Sequence, residues 1–198
     1  MPGALLLILI GCAAPPALVE IQQVSPGIRL DIRYATPNNF TGRAVYQEAR
    51  CFLRPETARK LADVQKDLER SGLGLKVYDC YRPLSIQRRF WELVPDERYV
   101  ANPAKGSRHN RGAAVDLTLV DARGKELPMP TPYDDFTKRA HRDFCDLPPE
   151  ALRNRETLER VMVKHGFIPL PTEWWHFDDT AWEKYGILDL DFTSLRAR

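Results

Sequence analysis

The chain has almost no excess of charge of either sign. Lys plus Arg is 29 and Asp plus Glu is 27, a formal net charge of +2 over 198 residues, with the two signs interleaved. Phosphate binding needs a concentrated basic face, so nucleic acid is excluded as the main partner. Long apolar runs are missing as well. The longest, Ala4 to Ile10, has seven residues, far short of the roughly 20 that a membrane-spanning helix needs. Internal repeats and low-complexity blocks are absent, and the length suits one ordinary domain but is short for two. A chain of this size buries roughly 70% of the surface it exposes when unfolded, so it can build a core without staples. Hydrophobic content of 43% and charged content of 28% are those of a globular protein, neither disordered nor polytopic. Cysteine is sparse, at positions 12, 51, 80 and 145, an even number that invites a two-disulfide reading.

The first cysteine leaves that count. The short apolar run is followed by Gly11-Cys12-Ala13-Ala14-Pro15-Pro16, the pattern of a targeting segment rather than a membrane domain. Leu9-Ile10-Gly11-Cys12 resembles the lipobox of bacterial lipoproteins, in which the cysteine is lipidated and becomes the mature N-terminus; a plain cleaved signal is the alternative. Residues 1–19 are thus expected to be a lipoprotein-like signal and leader, and 20–198 the functional domain. The mature protein is expected to be exported to the periplasm, an oxidising compartment, with membrane attachment only through Cys12.

Along that domain, Leu30, Ile32 and Tyr34 alternate with Arg29, Asp31 and Arg33, a half-buried strand. Pro55 to Ser71 opens on proline, spaces Ala58, Leu61, Val64 and Leu68 as one helical stripe and stops at Gly72. Leu73 to Cys80 reads as a strand, and Pro83 opens a helix with Ile86, Phe90 and Leu93 on one face, ended by Pro95. Residues 96–113 read as loop, Ala114 to Val120 as a strand, and Arg123-Gly124-Lys125 as a turn. Five prolines between Leu127 and Pro149 argue against a long regular element there. Asn154 can cap a third helix that buries Leu158, Val161 and Met162 and stops at Gly166. Trp174 to Asp178 reads as a last strand, and the mixed order points to an α+β class.

Chemistry concentrates in three places. In Ser107-Arg108-His109-Asn110-Arg111-Gly112-Ala113-Ala114-Val115-Asp116 a loop histidine precedes by seven residues an aspartate inside an apolar strand. A carboxylate buried there must be paired or bound to a cation. Glu173-Trp174-Trp175-His176 supplies a second histidine. Two histidines and a carboxylate suit Zn²⁺ with its fourth position open, the arrangement of a catalytic metal. Val77-Tyr78-Asp79-Cys80-Tyr81-Arg82-Pro83 holds an arginine at a strand-to-helix junction, always charged and with a rigid fork of donors. Taken singly, each has a bland reading: a hydrogen-bonded Asp–His pair, an uninformative Glu-x-x-His, a surface salt bridge. His141 and His165 read as structural, and Cys145 as a buried small hydrophobe.

Together and in this order, Tyr-Arg-Pro, Ser-x-His-x-x-Gly-x-Ala-x-Asp and Glu-x-x-His with two tryptophans between resemble the zinc D-alanyl-D-alanine dipeptidases, the VanX-like branch of the M15 peptidases. The resemblance runs from about Arg33 to Phe177 and takes in Asn39-Phe40-Thr41-Gly42 and Asn154-Arg155. It implies a small α+β domain whose central antiparallel sheet, flanked by helices, carries one zinc per chain. It assigns His109, Asp116 and His176 as metal ligands, Glu173 as general base and Arg82 as stabiliser of the tetrahedral oxyanion. Ser107 and Tyr34 match the family's substrate contacts, and Asp135, or its neighbour Asp134, is expected to meet the substrate ammonium. The implied reaction is hydrolysis of the D-Ala-D-Ala dipeptide, with no protein partner. A D,D-carboxypeptidase or endopeptidase acting on peptidoglycan stem peptides is the rival within enzymes, and an inactive zinc-containing binding module the rival outside them. Glu173 and Arg82 argue against the latter, because a structural zinc site needs neither. Of the three remaining thiols, Cys51 precedes the first long helix and Cys80 ends the strand after it, which makes them a candidate disulfide.

Overall fold

The computed structural model describes residues 18–195. The signal and leader reading, including Cys12, falls almost wholly on residues outside this range. Four α-helices, five 3-10 helices and seven strands make up the regular structure of the described residues, an α+β domain. The two longest strands, β4 (Leu73–Asp79) and β5 (Ala114–Asp121), pair antiparallel. Against β5 lies β7 (His176–Asp179), and against β7 lies β6 (Phe167–Pro169), both antiparallel. At the other edge β2 (Arg29–Leu30) runs parallel to β4, giving the order β2-β4-β5-β7-β6. The sheet is therefore antiparallel except at that edge. The expected strand over 29–34 stops at Leu30 because the chain then turns into a 3-10 helix, Arg33–Ala35. Its alternation still sorts the side chains, with Ile32 and Tyr34 buried. A separate two-stranded ribbon joins β1 (Val19–Glu20) to β3 (Phe52–Leu53), and a one-turn helix α1 (Ile21–Val24) follows β1.

Helix α2 (Pro55–Glu69) starts on proline at its first turn and buries Ala58, Leu61, Val64 and Leu68, as its spacing predicts. Helix α4 (Pro149–Lys164) begins more than a turn before the expected cap at Asn154. The fixed φ of proline suits the first helical position, so Pro148 and Pro149 open this helix where they were read as breaking structure. Asn154 instead donates from Nδ2 to the Pro128 carbonyl at 2.8 Å, docking the proline-rich segment on the helix. Between the two, α3 (Leu84–Leu93) buries only Gln87 and Phe90; Leu93, expected on its inner stripe, is 59% exposed. Val115, Leu117 and Leu119 of β5 join Leu61, Val64 and Leu68 of α2 and Leu158 and Met162 of α4 in one hydrophobic core. Trp174 and Trp175 are buried in that core from a turn, one step before β7 begins, rather than from the strand itself.

Cys51 and Cys80 form a disulfide with a Cα–Cα distance of 5.2 Å and a sequence separation of 29. Cys145 is free and exposed, not buried; its irregular segment leaves the thiol near only the Asp143 carbonyl. A loop of this length constrains the unfolded chain by about 3.5 kcal/mol. The Cys51→Ala/Cys80→Ala double variant is accordingly expected to melt roughly 10 °C lower in thermal denaturation, and an unchanged Tm would show that the bridge contributes nothing.

Candidate metal centre and active site

One row of side chains crosses the sheet. Asp116 of β5 sits opposite His176 of β7 on one side and opposite Asp79 of β4 on the other. The second pairing depends on a bulge at Tyr78, where Val77 still faces Leu117 but Asp79 has shifted to face Asp116. Plain alternation would send Asp79 to the same face as Leu75 and Val77, into the core; the extra residue re-aims it. His109 enters from the 3-10 turn His109–Arg111 just ahead of β5. Gly112 ends that turn at φ +67, a left-handed conformation that favours glycine.

His109 Nε2, His176 Nδ1 and Asp116 Oδ1 converge. The nitrogens are 3.2 Å apart, and the carboxylate oxygen is 2.9 Å from His176 Nδ1 and 3.3 Å from His109 Nε2. The other ring nitrogen of each histidine is committed elsewhere: His109 Nδ1 donates to the Cys80 carbonyl at 2.7 Å and His176 Nε2 donates to Asp178 Oδ1 at 2.9 Å. In neutral imidazoles those bonds fix the tautomers and turn a lone pair inward from each ring. Burial pushes the Asp116 carboxyl up, but hydrogen bonds from the two histidine rings and their positive charge draw it down by more; where the rings are neutral, a bound cation has to take that place. Three inward lone pairs at these separations repel one another unless a cation lies between them. Three corners of a tetrahedron with bonds of about 2.0–2.1 Å are about 3.3 Å apart, so the donor set fits zinc in size and chemistry. Tyr133 completes the shell by donating to Asp116 Oδ2 at 2.9 Å.

Around this triad lies a cavity of about 110 Å³ lined by Tyr34, Arg82, Ser107, Asp134 and Glu173 among others. Glu173 stands just ahead of β7, its Oε2 3.9 Å from His176 Nδ1. Burial pushes its carboxyl up to about 8, and the Asp116 and Asp134 carboxylates add to this while His176 and Arg82 oppose it. Arg82 is clamped: Nε and one terminal nitrogen donate to Asp79 Oδ2 at 3.1 and 2.6 Å, and the other donates to Gln87 Oε1 at 2.8 Å. Asp79 also accepts from the Tyr46 hydroxyl at 2.8 Å. Burial opposes the guanidinium charge, and Asp79 more than offsets it. The arginine is therefore a fixed positive charge on the cavity wall.

Asp134, not Asp135, lines this cavity. Its backbone sits at φ +62, unusual for a residue other than glycine and a conformation that aspartate tolerates better than most. Tyr34 donates to its Oδ1 at 3.1 Å and the Phe40 amide to its Oδ2 at 3.3 Å. Burial, with the Asp116 carboxylate second, pushes the Asp134 carboxyl up to about 7. Asp135 is spent locally, its Oδ1 accepting from the Thr137 amide at 2.9 Å. The switch follows from the left-handed turn at Asp134, which aims two successive carboxylates in different directions. Ser107 is buried on the cavity wall, its Oγ accepting from the Asn110 amide at 3.3 Å.

This geometry agrees with what the sequence is similar to. The model of the M15 peptidase family described as D-Ala-D-Ala dipeptidase matches residues 16–189. The chain belongs to this family. Over 176 residues, covering 89% of the chain and 91% of the relative, it is 38% identical to a D-alanyl-D-alanine dipeptidase of Escherichia coli K12. Proteins of the same name from Enterococcus faecium and Streptomyces coelicolor are 31% and 32% identical, each match covering 79% of this chain and 88% of the relative.

In this M15 peptidase several further side chains serve the site. Asp178 orients His176, and Asp79 with Gln87 holds Arg82. Arg142 donates to the carbonyls of Leu170, Trp174 and His176 at 2.8, 3.0 and 3.0 Å, pinning the segment that carries Glu173. None of these lies in a pattern that sequence spacing flags, although Asp178, two residues after His176, shares its face of the strand. His165 lies away from the site at the end of α4, paired with Asp67 at 3.1 Å, and His141 does not line the cavity.

Proposed function

We propose that the protein hydrolyses the D-Ala-D-Ala dipeptide to two D-alanines, with one zinc held by His109, Asp116 and His176. When bound there, zinc supplies a Lewis acid that brings the pKa of water to about 7 and polarises a carbonyl. Glu173 takes the proton of the attacking water on its carboxylate and returns it to the leaving amine, and its burial keeps its proton affinity near working pH. Arg82, held rigid by Asp79 and Gln87, faces the negative charge that develops on the scissile carbonyl oxygen. Asp134 takes the substrate ammonium, with the Tyr34 hydroxyl bonded to it, and Ser107 lines the same small cavity.

The observation that carries this reading is Asp134. A carboxylate on the wall of a small metal-centred cavity suits a free ammonium, which the dipeptide has; a peptidoglycan stem would bring a neutral acyl chain to that place. Released D-alanine from free dipeptide and from a muropeptide pentapeptide separates the two. Turnover of the dipeptide alone is expected, and turnover of the pentapeptide alone would overturn the proposal. Ammonium binding needs the ionised Asp134, which is lost as pH falls through about 7. KM for the dipeptide is therefore expected to rise about tenfold per pH unit below that point, and the rise is expected to flatten in Asp134→Asn. Localisation to the periplasm and lipidation of Cys12 are the further parts of this proposal; they rest on the leader sequence and are tested by labelling with a radioactive fatty acid in cells.

A further inference from the structure

We propose that Arg108 takes the carboxylate end of the substrate and makes the enzyme selective for peptides with a free C-terminus. The inference rests on the dipeptidase reading above and adds a residue to it. Three arginines line the cavity: Arg82, Arg98 and Arg108. Arg82 spends three of its five N–H donors on Asp79 and Gln87, which ties it to the wall beside the triad. Arg98 has a side chain 72% exposed and is closed on Asp96, with Nε 3.0 Å from each carboxylate oxygen. Arg108 differs from both. Among the described residues its guanidinium makes no hydrogen bond; Nε, itself buried, has only an ion pair with Asp178 Oδ2 at 3.6 Å, and the side chain as a whole is 42% exposed.

The guanidinium is nevertheless held in place. It lies over the Trp182 ring with 4.5 Å from Cζ to the ring centre, a cation–π contact that fixes the plane of the fork and leaves its edges available. Its backbone sits between Ser107, which lines the cavity, and the ligand His109, so its reach is fixed relative to the metal triad. Asp134 lies with Tyr34 and Phe40, while Arg108 lies with Asp178 and Trp182, and among the described residues no hydrogen bond, ion pair or ring contact links the two groups directly. A dipeptide carries an ammonium at one end and a carboxylate at the other. With the ammonium on Asp134, the scissile carbonyl at the triad and Arg82 given to the oxyanion, the remaining end needs another cation, and Arg108 is the cavity arginine whose guanidinium makes no hydrogen bond among the described residues.

The test compares D-Ala-D-Ala with its C-terminal amide, at saturating zinc, in wild type, Arg108→Met and Arg108→Lys. Wild type is expected to prefer the acid. Arg108→Met is expected to raise KM for the acid by roughly ten- to a hundredfold, the worth of a charge-assisted hydrogen bond, while KM for the amide stays within about twofold of wild type. Arg108→Lys, a point charge without the fork, is expected to recover part of the preference. Equal increases for acid and amide in Arg108→Met would mark a merely structural role and overturn the inference, as would an unchanged acid-to-amide ratio. Absence of dipeptide turnover in wild type overturns the functional reading itself, so the two failures are distinguishable.

Discussion

Glu173→Gln is expected to lower kcat by roughly 10²–10⁴, the usual contribution of a positioned general base, and to leave zinc content unchanged. The two halves of the expectation come from different distances. Glu173 Oε2 is 3.9 Å from His176 Nδ1, outside the cluster formed by His109, Asp116 and His176, whose mutual separations are all near 3 Å. Removing its charge therefore removes a proton carrier and not a ligand. The His176 tautomer does not depend on it either, because Asp178 holds Nε2. Glutamine keeps the volume of this buried side chain, so the fold should not respond. With the metal loaded, the loss should fall on kcat rather than KM, since proton transfer belongs to the transition state. Metal analysis beside steady-state rates checks it. Wild-type kcat in the variant would remove Glu173 from the base role, and loss of zinc would make it a ligand.

Much of this is legible in the amino-acid sequence alone. The stripe of α2 and the apolar run of β5 are fixed by local periodicity, and His109, Asp116, Glu173 and His176 stand in spacings that read as one motif set. What stayed hidden depends on non-local geometry. Asp79 has the parity of Leu75 and Val77, and only the bulge at Tyr78, set by pairing with β5, turns it toward Arg82 and Asp116. The choice between Asp134 and Asp135 turns on one positive φ inside a proline-rich loop, a conformation either residue could adopt. Arg142 reaches three carbonyls about thirty residues away, and nothing near it in the chain announces them. Helix α4 shows the reverse error: Pro148 and Pro149 carried the start signal in plain view, but proline marks both a break and a beginning.

His109→Ala is expected to abolish zinc binding and reduce turnover to background. Catalytic zinc sites use three protein donors with a position left open, and the carboxylates bonded to the ends of this cluster, Asp79 and Asp178, are already committed to Arg82 and His176. A graded response should separate ligand from support. Asp178→Asn keeps both ligand nitrogens and weakens only the orientation of His176, a change worth roughly 10–100-fold in metal affinity. Stability gives a readout independent of activity. A cation that binds only the folded state raises Tm by mass action. Added zinc should therefore raise Tm in wild type, raise it at higher concentration in Asp178→Asn, and have no effect in His109→Ala. Retention of one zinc per chain and of the Tm increase in His109→Ala would show that the three convergent atoms are not the metal site, and the reading of Asp116 as a cation-bound carboxylate would fall with them.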